Sequence, residues 1–528
     1  MPIRMVDDPE DRGDSDYDDS QESYNNHNNA GGGGFFGQLL PWLIQLLFKQ
    51  PLLLLLAGIV AAIWMFPKSC GSIQQPRNAQ EQVFATGGNL DPKQYAKASI
   101  YEPLDESSNQ LPEAVSLQKF APTPLNQGQQ GSCVAWSSAY AARTIVEAIA
   151  TGVAPNTIAF SPSFLYNQIK LDGCQGSYIL NAMQCLTKVG AVSLKDFAYD
   201  DADCNKMPDP SLIQLAEQYK MLGFTRLSKE ESTKLVSIRA IKEHLAKDVP
   251  VVIGMMVGGS FMQEMSGKSV WYPTNDDYSQ MGFGGHAMCV VGYDDRKDGV
   301  GAFQVMNSWG TNWGQNGFAW IKYADFKHFV REAYGLHPMP AKGKGLVNTI
   351  SGTIGLVETN NKQYLALQRT SEHVFENPTA IKKKTTFKVA VQNNAPCYVY
   401  IVGKETDGST YVLFPYPIAG EPNKTKFSPY CGITGYRLFP RGMSLQADDV
   451  GTQDQVAVIV GNKPINVFEV NNLLNQYKHI PFAKAVQMAV PSLSSNSKVL
   501  VADNGTVAFQ MSAQQQTALA FVININKY

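Results

Sequence analysis

Residues 126–138 read NQGQQGSCVAWSS and are the most informative segment for the fold of the region around them. Its cysteine, Cys133, follows a Gly-Ser pair and begins a run, CVAWSSAYAARTIVEAIA, whose apolar residues recur at helical spacing. Such a pattern places the thiol at a helix N-terminus, where the macrodipole favours the nucleophilic thiolate. A lone cysteine at the head of an apolar helix is more often a buried structural residue. The pattern therefore needs partners elsewhere in the chain.

Two further segments contain candidate partners for the thiol. GGHAMCVVGYDD places His286 at the start of a buried-strand pattern, and VMNSWGTNWGQNGFAWI places Asn307 at the end of another. A thiol nucleophile needs an imidazole to take its proton and a third group to orient the ring. These residues predict a nucleophile (Cys133), a base (His286) and an orienting amide (Asn307).

Together these residues resemble the papain and cathepsin cysteine peptidases. The order Cys, His, Asn is the same, and the histidine and asparagine follow Cys133 by 153 and 174 residues, a slightly stretched spacing. FSPSFLYNQ and GCQGSYILNAMQCLTKVGAVSLKDFAYDD are also similar to family segments. The resemblance covers about residues 111–340. It implies an α+β papain-like domain, with a helical half and a β half, that hydrolyses peptide bonds through a thioester on Cys133.

The resemblance implies further site residues. Gln127, six residues before Cys133, would donate its side-chain amide to an oxyanion hole. Trp309 would shield the contact between imidazole and amide from water. Gly285 stands where the family has a polar residue, beside the substrate. No cofactor or metal is implied, and the expected partner at this site is a protein or peptide substrate.

The remaining cysteines leave disulfide pairing open. The family's cysteine three residues before the nucleophile is replaced by Gln130, so the usual partner of Cys174 is absent. Three cysteines of the catalytic region allow three pairings, and two in the C-terminal region form a candidate pair. These residues are Cys174, Cys185 and Cys204, and Cys397 and Cys431.

The N-terminal part of the 528-residue chain predicts a tail, an anchor and a tether. Residues 1–34 hold nine Asp or Glu against two Arg and predict a disordered acidic tail. Residues 35–67 are apolar, with an uncharged core at 51–67, and predict a membrane anchor in contact with the lipid bilayer. Residues 68–110 are polar and predict a tether, too short and too polar for the helical prodomain of the family's zymogens. We expect activity to be constitutive or controlled by location and by the rest of the chain.

The anchor predicts a single-pass protein, but its orientation rests on opposing signals. Lys68 and Arg77 against Lys49 weakly favour a cytoplasmic catalytic domain. Cysteine groups that an oxidising compartment could pair favour an extracytoplasmic one. We expect the catalytic domain outside the cytoplasm and the acidic tail inside.

Residues 346–528 predict a separate all-β domain, sandwich-like, after a short linker at 341–345. Segments such as TFKVAVQ, CYVYIVG and VAVIVG carry β-branched and aromatic residues between turn signals. VLFPYP and RLFPRG resemble the Leu-Phe-Pro motif of an uncharacterised bacterial domain family attached to peptidases and kinases. That resemblance implies attachment or recognition, and hence a protein partner.

The composition of the chain argues against a nucleic-acid-binding function. A formal net charge of -2 with 17% charged residues gives no basic surface for nucleic acid. The leading hypothesis is a membrane-anchored cysteine endopeptidase. Two alternatives stay open: a catalytically silent papain-fold scaffold that binds peptides, and a transglutaminase- or amidase-like acyl transfer.

Overall fold

The structure, a computed structural model, describes residues 3–7, 84–340, 349–421, 423–491, 493, 497–502, 504–513 and 518–528. The expected anchor at 35–67 and the linker at 341–345 lie outside these residues. Within the described ranges, no helix is long and apolar enough to cross a membrane.

The catalytic region, residues 84–340, packs helices against an antiparallel sheet. Its helices are α1 Pro92–Tyr95, α2 Cys133–Ala135, the π-helical Trp136–Arg143, α3 Thr144–Thr151, α4 Pro155–Ile158, α5 Pro162–Ile169, α6 Ile179–Lys188, α7 Pro210–Ala216, α8 Ile238–Leu245, α9 Gly259–Gln263 and α10 Tyr323–Phe329. After β1 Ile3–Asp7, its strands are β2 Ala114–Ser116, β3 Phe224–Arg226, β4 Val251–Val257, β5 Gly284–Asp294, β6 Ala302–Met306, β7 Phe318–Lys322 and β8 Val330–Leu336. The sheet order is β3-β8-β4-β5-β6-β7, with β2 on β5. The expected α+β fold is confirmed here.

Local signals explain several element boundaries in this region. Ser161 caps α5 by accepting from the Phe164 amide at 3.0 Å, and Pro162 occupies the first helical position. Gly152 ends α3 in the left-handed conformation at φ 73°, which a glycine adopts without steric cost. The helical half and the sheet share one apolar core.

The β-rich region, residues 349–528, consists of two packed sheets. Its strands are β9 Thr349–Glu358, β10 Tyr364–Leu365, β11 Gln368–Ser371, β12 Val374–Glu376, β13 Thr386–Asn393, β14 Cys397–Lys404, β15 Thr410–Phe414, β16 Tyr430–Cys431, β17 Gly435–Phe439, β18 Met443–Ala447, β19 Gln453–Gly461, β20 Ser497–Val501, β21 Val507–Ser512 and β22 Ala518–Asn526. One sheet has the order β1-β18-β13-β9-β21-β20, with β10 on β9 and β17 on β13. The other has the order β11-β12-β22-β19-β14-β15, with β16 on β14. Side chains of both sheets form the core between them.

The β-rich region is not all-β as expected, because two helices follow β19. They are α11 Val467–Gln476 and α12 Phe482–Ala489. They cover the outer face of the second sheet, so that Val458 of β19 faces the core between the sheets while Ile459 packs under the helices. A strand buried on both faces has a continuous apolar sequence, and this explains the segment VAVIVG. The outer layer was not predicted from the strand pattern.

The N-terminus differs from the expected disordered tail at residues 3–7. These residues form β1, which pairs antiparallel with β18, with Met5 opposite Leu445. Met5 packs against the core between the two sheets. The short IRMV segment, with three apolar residues, thus adds a strand to the β-rich region before the acidic run.

Residues 84–110, which we call the strap, differ from the expected tether. Tyr95, Ile100, Tyr101 and Leu104 are buried, although the segment as a whole is polar. The strap belongs to the same compact unit as the catalytic and β-rich regions. A few large apolar side chains at separated positions are enough to order the strap. The sequence prediction missed them because it relied on the average polarity of the segment.

One of the open disulfide pairings is formed in the structure. Cys174 is bonded to Cys204, with a Cα–Cα distance of 6.3 Å, and Cys185 is free. Cys397 and Cys431 are direct partners on β14 and β16, yet both are free and buried. The candidate pair in the β-rich region is therefore not bonded.

Candidate active site

Cys133 begins a helical run at the centre of the catalytic region. The run passes from α2 through the π-helical turn into α3, and Cys133 is fully buried. Its sulfur accepts a hydrogen bond from the backbone amide of Ala287 at 3.4 Å. Since Ala287 follows His286 in β5, the thiol lies against the strand that carries the predicted base.

The histidine and the asparagine meet because neighbouring strands carry them. His286 is the third residue of β5, and Asn307 directly follows β6, which pairs with β5. His286 Nε2 lies 2.7 Å from Asn307 Oδ1, which also accepts from the Ser308 amide at 2.7 Å. An amide oxygen only accepts, so Nε2 carries the hydrogen. In the neutral ring Nδ1 is then the basic nitrogen, and it has no hydrogen-bond partner among the described residues.

Trp309 covers the ring of His286. The two rings stack with centroids 4.4 Å apart and an interplanar angle of 28°. Trp309 also stacks on Phe84 of the strap, at 4.7 Å, and its indole N–H donates to the Ala85 carbonyl at 2.9 Å. The side chain is buried, as a shielding residue requires.

Gln127 lies in a hydrogen-bond network with Ser308 that sequence reasoning missed in part. Its Oε1 accepts from the Ser308 hydroxyl at 2.6 Å, and its Nε2 donates to the Gln130 carbonyl at 2.9 Å. Nε2 also approaches the Thr86 carbonyl of the strap at 3.4 Å. Ser308 therefore orients both the glutamine and, through its backbone amide, Asn307. The only sequence signal for Ser308 was its position between Asn307 and Trp309.

The strap fills the cleft between the two walls of the site. Gly88 donates to the Gly285 carbonyl at 2.9 Å, and Ser177 donates to the Gly87 carbonyl at 2.9 Å. Asn89 in turn donates to the Ser177 carbonyl at 3.0 Å. The predicted site residue Gly285 does border the cleft, and in this structure its carbonyl is bonded to the chain's own strap.

Burial in this closed site stabilises the neutral forms of Cys133 and His286. Burial raises the pKa of Cys133 to about 12, although backbone hydrogen bonds including that of Ala287 lower it. Burial also lowers the pKa of His286 to about 4, against the opposing effect of the Asn307 hydrogen bond. Desolvation penalises the charged form of each group. Both shifts in pKa favour a neutral thiol and a neutral imidazole in the closed site, whereas the helix N-terminus alone predicts a thiolate.

Comparisons with known proteins agree with this geometry. Residues 112–335 match the family described as papain family cysteine protease. Residues 112–335 are a papain-family cysteine protease domain.

Individual relatives of the papain-family domain are distant. An uncharacterized peptidase C1-like protein of Acanthamoeba polyphaga mimivirus is 30% identical over 221 residues, which cover 40% of this chain and 66% of that protein. Cathepsin K of Mus musculus is 28% identical over 239 residues, covering 44% of this chain and 66% of that protein. The solved structure of xylellain, a cysteine protease from Xylella fastidiosa, is 24% identical, covers 50% of this chain and 98% of that chain, and gives a TM-score of 0.40. The chain spans just under two thirds of the length of the first two relatives.

Proposed function

We propose that the chain is a cysteine endopeptidase that uses Cys133 as nucleophile, His286 as base and then acid, and Asn307 to orient the imidazole. The observation that carries the proposal is the arrangement of the imidazole. Its Nε2 is held by Asn307 at 2.7 Å, while Nδ1 is free to take a proton and the next backbone amide contacts the thiol.

The reaction follows from these positions once a peptide replaces the strap. Nδ1 of His286 takes the thiol proton, and the sulfur of Cys133 attacks the peptide carbonyl carbon. The Gln127 amide stabilises the negative charge that develops on the carbonyl oxygen. The C–N bond then breaks, the leaving amine takes the proton from the imidazolium, and a thioester remains on Cys133. Water deprotonated by His286 attacks the thioester, which releases the carboxylic acid product and regenerates the thiol.

A covalent probe tests this proposal. We expect a peptidyl vinyl sulfone to label Cys133 in the Gly87→Ala chain, where the added Cβ would meet the Gly131 carbonyl oxygen and open the strap, and to label Cys185 much less, because the strand that carries His286 contacts the Cys133 thiol. Peptide mapping by mass spectrometry measures both sites in one sample. Labelling of Cys185 without Cys133 in this variant would contradict the assignment of Cys133 as nucleophile.

A catalytically silent peptide-binding scaffold is the second candidate. One observation favours it: Cys133 and His286 are both fully buried beneath the strap. A scaffold, however, has no need of an imidazole held at one nitrogen and free at the other. Transglutaminase- or amidase-like acyl transfer would use the same nucleophile and base, and assays with amine acceptors beside water distinguish it from hydrolysis.

We propose that the apolar segment 35–67 attaches the chain to a membrane. Residues 3–7 and the catalytic region then lie on the same side of that membrane, and not on opposite sides as the sequence predicted. Residues 3–7 pair with β18, and two strands of one sheet cannot form across a bilayer. Since we expect the catalytic region to be extracytoplasmic, we then expect residues 3–7 to be extracytoplasmic as well.

Epitope tags test this arrangement. We expect a tag at Met1 and a tag at Tyr528 to be digested together when protease is added to intact cells, or protected together until the membrane is broken. Digestion of one tag with protection of the other would restore the single crossing and contradict the pairing of β1 with β18 within one chain.

A further inference from the structure

We propose that the β-rich region controls access to Cys133 through the strap, which closes the cleft at one end and is held by the β-rich region at the other. This inference concerns the regulation of the proposed peptidase and rests on that function. The cleft end of the strap is residues 84–91, and the held end is residues 99–109.

The cleft end uses the main-chain groups that a substrate would need. On one wall, the Gly87 carbonyl accepts from the Ser177 amide, and the Asn89 amide donates to the Ser177 carbonyl. On the other wall, the Gly88 amide donates to the Gly285 carbonyl. Beneath it Cys133 is fully buried. An extended peptide cannot form hydrogen bonds with either wall until the strap leaves, because each of these groups already has a strap partner.

Glycines at two positions permit this close approach. Gly87 has φ 138°, and a Cβ there would lie 2.2 Å from the Gly131 carbonyl oxygen. A Cβ on Gly88 would lie 3.2 Å from the backbone of His286. Any side chain at position 87 must therefore displace the strap from the cleft wall.

The strap continues from the cleft as an ordered segment. The Asp91 amide donates to Glu332 Oε1 at 3.0 Å, and Asp91 caps α1. The hydroxyl of Tyr95, in α1, donates to the Ala333 carbonyl at 3.1 Å. Both contacts are to β8 of the catalytic sheet, so the part of the strap between the cleft end and the held end is also fixed in position.

The held end joins the two regions at Ile100. On the catalytic side, Arg226 of β3 donates to the Ser99 carbonyl at 3.0 Å, and the Tyr101 amide donates to the Arg226 carbonyl at 3.0 Å. On the other side, the Ile100 amide donates to the Lys426 carbonyl at 2.9 Å, and the Ser428 amide donates to the Ile100 carbonyl at 2.8 Å. This part of the strap is thus hydrogen-bonded to both regions at once.

The β-rich region adds side-chain contacts at the same end. Asn109 Nδ2 donates to the Tyr436 carbonyl at 2.9 Å, and the Tyr436 amide donates to Asn109 Oδ1 at 3.1 Å. Arg437, fully buried on β17, donates to the Glu102 carbonyl at 3.0 Å and contacts the Tyr101 hydroxyl at 3.4 Å. Loosening these contacts removes the attachment of the strap to the β-rich region without touching the cleft.

The test measures how fast iodoacetamide alkylates Cys133 in the full chain, resolved by cysteine with mass spectrometry. Gly87→Ala is expected to accelerate alkylation of Cys133 by about tenfold or more, because opening exposes the thiol. Asn109→Ala, at the held end, is expected to accelerate it by at least about threefold, because three side-chain hydrogen bonds are lost, two of them to Tyr436 of the β-rich region. Cys289, fully buried in β5, reports unfolding of the whole region in the same sample.

Matched controls carry the same chemical changes away from the strap. Gly152→Ala also places a side chain at positive φ, where nothing lies within 4 Å. Asn394→Ala removes an exposed asparagine of the β-rich region. In both variants, iodoacetamide is expected to alkylate Cys133 at a rate within about twofold of the wild-type rate.

Three results would overturn the proposal. Acceleration in Gly87→Ala alone would mean that the β-rich region does not hold the strap. Unchanged rates in both variants would mean that the strap does not limit access. Equal acceleration at Cys289 would mean that Cys133 is reached by unfolding. Because alkylation needs no turnover, an exposed Cys133 without peptide hydrolysis would instead reject the proposed peptidase function and leave this inference standing.

Discussion

Cys133→Ala is expected to lower the hydrolysis of unstructured peptides by about 10⁴-fold or more, because loss of the nucleophile leaves only binding and oxyanion stabilisation. The measurement is kcat/KM, in the wild-type background and in the Gly87→Ala background, where the cleft is expected to be open. The thermal midpoint is expected to change by no more than about 5 °C, because a thiol is a small side chain to truncate.

Cys289→Ala is the matched control for this prediction. Cys289 is also fully buried and lies on the same strand as His286, with its thiol 3.8 Å from the Val290 carbonyl. The variant makes the same change in the core without touching the proposed site, so peptide hydrolysis is expected to persist. Comparable activity in Cys133→Ala and Cys289→Ala would reject Cys133 as the nucleophile.

Gln127→Ala is expected to lower kcat by about 10² to 10³ with little change in KM, because the lost amide donor acts mainly in the transition state. The fully buried side chain also satisfies the Ser308 hydroxyl and the Gln130 carbonyl, so its removal is expected to cost about 1–3 kcal/mol of stability. Activity is therefore measured well below the thermal midpoint of each variant.

Two further variants separate catalysis from structure at position 127. Gln127→Glu keeps the size of the side chain and an oxygen facing Ser308 but removes the neutral amide donor, and it is expected to lose at least as much kcat. Gln129→Ala removes an exposed neighbouring glutamine and is expected to leave kcat unchanged. An effect of Gln127→Ala confined to KM would show that Gln127 only binds substrate.

The sequence contained enough information to predict the α+β fold of the catalytic region and to propose its central residues. Cys133 at a helix start and His286 and Asn307 at strand ends are local patterns of short range. Once β5 and β6 pair, the histidine and the asparagine are brought together, and the 2.7 Å contact between them follows. The β-branched and aromatic segments between turn signals likewise predicted a sandwich-like β-rich region, but not the helices on its outer face.

The closed state of the site could not be predicted in this way. Phe84 to Leu90 carry no periodic pattern, and their polar surroundings are typical of a tether. Their position depends on hydrogen bonds to Ser177 and Gly285, which lie 89 and 197 residues from Gly88 in the chain. The pKa values of Cys133 and His286 depend on the same burial, since a buried group loses the solvation that its charged form requires.

Residue type and local periodicity are properties of short segments, and they were enough to propose which side chains perform the chemistry. Three features became visible only in the folded chain: these side chains are covered, Ser308 orients two of them, and Ile100 joins the catalytic region to the β-rich region. They could not be predicted because backbone hydrogen bonds between distant segments depend little on residue type. Every non-proline residue has the same amide and carbonyl, and which partners they find depends on the packing of the whole chain.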